Sequence, residues 1–169
     1  MFKNIFKKTY KVSFNEFQVV ISEVLKSRTD YGLNMYRQEK LLDEKDENIF
    51  SLTYCLYHIF IIEKQLCQKY ESNFCYNLVK PFYDNLKEFL TNKEIIFDTR
   101  NELLEIFNKE NFIDAYHNPI YNLSKTFMKK AFNIEYDIVT LQFIILDFMS
   151  AYKESYILTD YKIINDKAI

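Results

Sequence analysis

The 169-residue chain has one glycine, two prolines, three cysteines and no tryptophan. Each scarcity excludes something. Sandwiches, barrels and Rossmann-type folds need glycine at tight turns and phosphate loops, and Gly32 alone cannot supply them. The same lack removes any P-loop or other glycine-rich phosphate cradle, and no GxSxG motif is present. Only Arg28, Arg37 and Arg100 are arginine, and the formal charge is −2. A nucleic-acid binder is expected to carry a basic footprint and to use arginine against phosphate and guanine, so no nucleic-acid partner is expected. Cys55, Cys67 and Cys75 are odd in number and form no CxxC pair, which reads as free thiols in a reducing, cytoplasmic setting. The longest apolar stretches, 49–62 and 138–149, fall short of the roughly 18–20 residues that span a bilayer. No secretory signal follows the basic start, so stable membrane insertion is not expected.

What is present is apolar and aromatic: 49% of residues are hydrophobic and 18% aromatic, with 16 phenylalanines and 14 tyrosines. That fraction excludes wholesale disorder, and the length fits one domain. Residues 1–12 hold four lysines and no acid among Phe2, Ile5 and Phe6, which at helical spacing makes a basic amphipathic arm. Ser13 and Glu16 form a capping box. Behind it Phe14, Phe17, Val20, Ile21, Val24 and Leu25 mark a helix ending near Ser27. Thr29 to Gly32 reads as a break, with Gly32 free to take positive φ, and a second segment follows over 33–42.

The longest helical pattern covers about 46–71. Its first half is apolar on every face, which makes it the hub of a bundle. Pro81 reads as the opening of the next helix. Further helices are expected from Lys93 or Thr99 to Asn108, from Asn118-Pro119 through Ala131, and over about 135–155. The expectation is an all-α, single-domain bundle of six to seven helices over 13–156, with a mixed tail over 157–169.

Four residues could carry chemistry. His58 and Asp147 each lie mid-way along an apolar helix and would pair as a general base or metal site if those helices touch. A buried polar pair that fixes register is the commoner use of such residues. Asp114 and His117 share one helix face three residues apart, a spacing that metal-binding bundles use, although those bundles add carboxylates from partner helices. With His117 just before Asn118-Pro119, it reads more simply as a cation near helix-end carbonyls. Cys55 lies three residues before His58, but burial in an apolar helix keeps a thiol protonated and inert. No cofactor is implied.

The remaining signals concern surfaces. Glu39, Asp43, Glu44, Asp46 and Glu47 form a dense acidic stretch suited to steering a basic protein partner. Tyr31, Tyr36, Tyr70, Tyr76, Tyr116, Tyr121 and Tyr156 sit at boundary positions, where tyrosine gives contact area at low entropic cost. The alternative source of those tyrosines is AT-rich codon usage, which also favours Lys, Asn, Ile and Phe. Together these features predict a non-enzymatic helical module that occludes another protein, in the manner of a bacterial or phage immunity or inhibitor protein. The candidate patch is Glu39, Asp43, Glu44, Asp46 and Glu47 with Tyr31 and Tyr36. A metal-binding or hydrolytic bundle using His58 with Asp147, or Asp114 with His117, is the second reading, and a self-associating module is the third.

Overall fold

The computed structural model describes residues 9–42, 46–92, 100–108, 119–135 and 137–164. Within them the chain is an all-α bundle of six helices with one short strand pair. The elements run β1 (Tyr10–Val12), α1 (Phe14–Gln38), α2 (Glu47–Leu66), α3 (Ser72–Asn92), α4 (Arg100–Asn108), α5 (Pro119–Phe132) and α6 (Ile138–Glu154). A 3-10 helix (Ser155–Asp160) and β2 (Tyr161–Ile163) follow.

The expected hub is α2. It packs against each of the other five α-helices and the 3-10 helix. Its residues Tyr54, Leu56, Tyr57, Ile59, Phe60, Ile61 and Ile62 are all buried. A helix apolar all round has no face to give to water, so its neighbours must enclose it. Around its first half the rings of Tyr36, Phe50, Tyr54, Phe127, Phe132 and Phe148 pack edge to face and stacked.

Local signals set the helix starts. Ser13 Oγ accepts from Glu16 N at 3.2 Å while Glu16 Oε2 accepts from Ser13 N at 2.7 Å, completing the capping box at the head of α1. Asp137 caps α6 through Thr140 N at 2.8 Å.

Several boundaries differ from the sequence reading, each for a physical reason. Helix α1 does not end near Ser27 but runs unbroken through Gly32 to Gln38. No glycine takes positive φ; Lys40 and Asn133 do, just past the ends of α1 and α5. Gly32 is glycine because the Tyr54 ring lies against it: a Cβ there would sit 2.5 Å from Tyr54 Cζ and 2.9 Å from its hydroxyl oxygen. Pro81 does not open a helix either but lies inside α3. The N–H it lacks would have bonded the carbonyl of Asn77, an exposed residue within reach of water. One residue further, the Leu78 carbonyl accepts from Gln18 Nε2 at 3.0 Å.

The described end of the N-terminal arm differs from the helical spacing read there, and the mixed tail docks through the 3-10 helix and a short strand. Residues 10–12 are extended and pair in parallel with 161–163, Tyr10 opposite Tyr161 and Val12 opposite Ile163. Tyr161 is the anchor of this ribbon. Its ring packs on Tyr10 and Phe17, and its carbonyl accepts from Tyr70 Oη at 2.7 Å and Lys69 Nζ at 2.8 Å. The part of the arm over residues 1–8 lies outside the described residues.

Candidate functional site

Along α1 the buried positions are Phe17, Ile21, Leu25, Arg28, Gly32 and Tyr36, a single stripe at steps of three and four. Arg28 therefore points inward, with its side chain about 10% exposed, against an Asp147 side chain at 1%. From α6, Asp147 Oδ1 accepts from Arg28 Nη2 at 2.7 Å, and its backbone carbonyl accepts from the same nitrogen at 3.2 Å. Oδ2 accepts from Tyr36 Oη at 3.1 Å and from Tyr54 Oη at 3.0 Å. The second guanidinium nitrogen, Nη1, donates to Glu154 at 3.0 Å, and Glu154 in turn accepts from Ser150 Oγ at 2.7 Å. Arg28 also lies over the Tyr31 ring at 5.1 Å.

One carboxylate thus gathers donors from α1 and α2, and the backbone carbonyl of the same residue accepts beside it from Arg28. Burial pushes the Asp147 carboxyl above its usual value, against the pull of Arg28 and the two phenols. Burial likewise drives both phenols up and keeps them protonated, so they act as donors. Arg28 Nε is buried without a partner among the described residues, which leaves one donor of the network unsatisfied.

His58 does not join Asp147, contrary to the pairing raised from sequence. Its Nδ1–H donates to the Tyr54 carbonyl at 2.8 Å, the ring lies 4.0 Å from the Tyr54 ring between centroids, and Nε2 is buried with no partner among the described residues. A carbonyl can only accept, so the proton is on Nδ1. Burial holds this imidazole down to about 3, neutral at physiological pH. Burial also pushes the Cys55 thiol up to about 11, so the neighbouring sulfur is held as the unreactive thiol. Asp147 is already saturated by Arg28, Tyr36 and Tyr54.

A second buried carboxylate, Glu63 of α2, binds Arg100 Nε through both oxygens at 2.9 and 3.0 Å and accepts from Tyr83 Oη at 3.2 Å. Arg100 stacks over Tyr76 at 4.5 Å. This cluster fastens α3 and the start of α4 to the hub.

Between α1 and the end of α6 lies a groove of about 940 Å³. Val19, Val20 and Val24 form one wall, and Ala151, Tyr156 and Ile157 the other. Three of its apolar residues are open to solvent, Val19 at 62%, Tyr156 at 51% and Ile157 at 59%, while Val20 and Val24 are half-buried and Ala151 is buried. Glu23, Glu154 and Asp160 stand around it with a single lysine, Lys153, and Arg28 reaches it from below.

Of the residues singled out from sequence, Tyr36 is fully buried and bonded to Asp147, so it is not a surface contact. Tyr31 is exposed on α1 and Tyr156 enters the groove. Glu39 is exposed and Asp46 half-buried, while Glu47 is held by Arg37 in an ion pair that pulls its carboxyl below the usual range. Asp43, Glu44, Asp114, Tyr116 and His117 lie outside the described residues. Among the described residues no three His, Cys, Asp or Glu side chains are grouped to hold a metal ion, and no helix is long and apolar enough to cross a membrane. The three thiols are free. Arg28, Glu63 and the groove residues Val19 and Ile157 were not picked out by sequence reasoning. Comparison with family models, curated proteins and solved structures finds no match to this chain.

Proposed function

We propose that this chain is a non-enzymatic helical module that binds another protein through the α1–α6 groove. The observation that carries this reading is the shape of one exposed apolar surface. Val139 and Leu146 on α6 are also open to water, at 71% and 68%, but Val19, Tyr156 and Ile157, each more than half exposed, line one concave groove together. Contiguous apolar surface of this kind marks interaction sites, because leaving it in water costs free energy that a partner recovers. The polar side chain set between the walls supports the same reading. Arg28 of α1 is occupied by Asp147 and Glu154 of α6, so it ties the two walls together.

The test places a photo-crosslinking residue at Val19 or at Ile157, with Lys87 on the exposed face of α3 as the control position. The expected result is one protein, identified by mass spectrometry, joined from both groove positions and not from Lys87. Purified, that protein should bind wild-type chain and lose binding to Val19→Asp. Crosslinking equal at all three positions, or binding indifferent to Val19→Asp, overturns the reading.

A further inference from the structure

We infer that the groove takes a basic amphipathic helix of about three turns, supplied by the partner protein; this rests on the binding reading above and adds the partner's chemistry. The shape sets the length. Lining residues on α1 run from Val19 to Arg28, which at 1.5 Å per residue is about 14 Å of axis. Two walls, α1 on one side and the end of α6 with the 3-10 helix on the other, present the ridges that a third helix packs into, with anchors at i, i+3, i+4 and i+7.

The charge sets the sign. Among the lining residues three carboxylates, Glu23 on the α1 side and Glu154 and Asp160 on the other, stand against Lys153 and Arg28. Arg28 is also bound to the buried Asp147, so with that carboxylate the groove and its support hold four acids against two bases and remain net negative. A helix whose apolar stripe is flanked by Lys or Arg fits: the stripe meets Val19, Val20, Val24 and Ile157, and the long basic side chains reach back over the α1 wall to Glu23 within a net negative surround. The same rim disfavours phosphate, hence nucleic acid and anionic lipid surfaces. It also disfavours an acidic helix of equal hydrophobicity, which gives the site a way to discriminate.

The test uses two 14-residue synthetic helical peptides with identical leucine stripes, one carrying lysine and the other glutamate at its polar positions, titrated by fluorescence polarisation. The lysine peptide should bind at least about tenfold tighter than the glutamate peptide, and its affinity should fall as salt is raised. Glu23→Lys should remove most of that preference, Val19→Asp should abolish binding, and Glu88→Lys on α3 should change neither. Equal affinity for the two peptides, or no effect of Glu23→Lys, overturns the inference. So does a wild-type chain that sediments as a dimer while Val19→Asp is monomeric, because the occupant is then a second copy. If the peptides fail while crosslinking from Val19 and Ile157 still captures one protein, the partner chemistry is wrong and the binding reading stands. If both fail, both fall.

Discussion

Arg28 and Arg37 stand nine residues apart on the same helix, each facing a carboxylate from another element, yet they do different work. Arg37 and Glu47 meet at the surface, with side chains 45% and 22% exposed. Water competes for both partners there and screens their attraction, so such a pair is worth about 1 kcal/mol at most. Arg28 and Asp147 meet where water is excluded. Desolvating two charges costs several kcal/mol each, and the structure offsets this with bonds from Tyr36, Tyr54 and Glu154 around the pair. The net gain over a packed apolar pair is small, but the penalty for half a pair is large. Burial therefore turns an ion pair from an ornament into a condition of the fold: Asp147 can sit on α6 only while α1 and α2 bring their donors to it.

The sharpest way to break the comparison is to remove one partner at each place. Asp147→Ala removes the main partner of the Arg28 charge and should cost about 3–5 kcal/mol in urea unfolding, while the fourfold change Arg28→Met, Asp147→Leu, Tyr36→Phe and Tyr54→Phe, which leaves no polar group of the network unpaired, should restore most of it. Retention of full stability by Asp147→Ala would show that the network is dispensable.

Next in size is the effect of acid on His58, the neutral neighbour of this charged cluster. Its folded-state value lies near 3 against an ordinary 6.5. Below pH 6.5 the unfolded chain takes up a proton that the folded chain refuses, so stability falls as pH drops from about 6.5 toward 3. By pH 5 the loss should reach about 2 kcal/mol. Unfolding free energies of His58→Leu at pH 7 and pH 5 should lack that part of the slope; an unchanged slope would refute it.

Gly32→Ala tests how tightly Tyr54 is held for Asp147. Alanine gains about 1 kcal/mol of helix propensity, but the added methyl overlaps the Tyr54 ring, and overpacking costs about 1–3 kcal/mol. A net loss of about 1 kcal/mol in the unfolding free energy from urea titration is expected, and a gain would mean the ring yields freely. The smallest effect belongs to Glu47→Ala, within about 1 kcal/mol and vanishing in 1 M salt. A loss as large as that of Asp147→Ala would erase the distinction between the two pairs.

Much of the fold was legible in the sequence because periodicity and caps are local. The capping box at Ser13, the hub over α2 and the start of α5 at Pro119 all follow from short-range rules. The site was less legible, and the reason can be traced to Gly32. Read as a break, it cut the stripe of α1 at Leu25 and left Arg28 and Tyr36 looking like surface residues. Carried through at the same period, Phe17, Ile21, Leu25, Arg28, Gly32 and Tyr36 are one face. What decided the matter was the Tyr54 ring from another helix, and no local rule contains it. The partner of Asp147 was hidden for the same reason: an apolar helix announces that it is buried, not which arginine awaits it. The groove was out of reach too, since Val19 and Ile157 are ordinary residues until α1 and the 3-10 helix are set side by side.

The parallel ribbon has a mechanical meaning. Tyr10 pairs with Tyr161 and Val12 with Ile163, so a pull entering the ribbon at residue 10 and leaving it at 163 acts on opposite ends of two strands that point the same way. Such a load slides the strands past each other and strains all their hydrogen bonds together, instead of peeling them one at a time. Three residues at each extremity of the domain thus form a clasp, and behind it stand Lys69 and Tyr70 gripping the carbonyl of Tyr161. Tension applied across the ribbon meets this fastening before it reaches the helices.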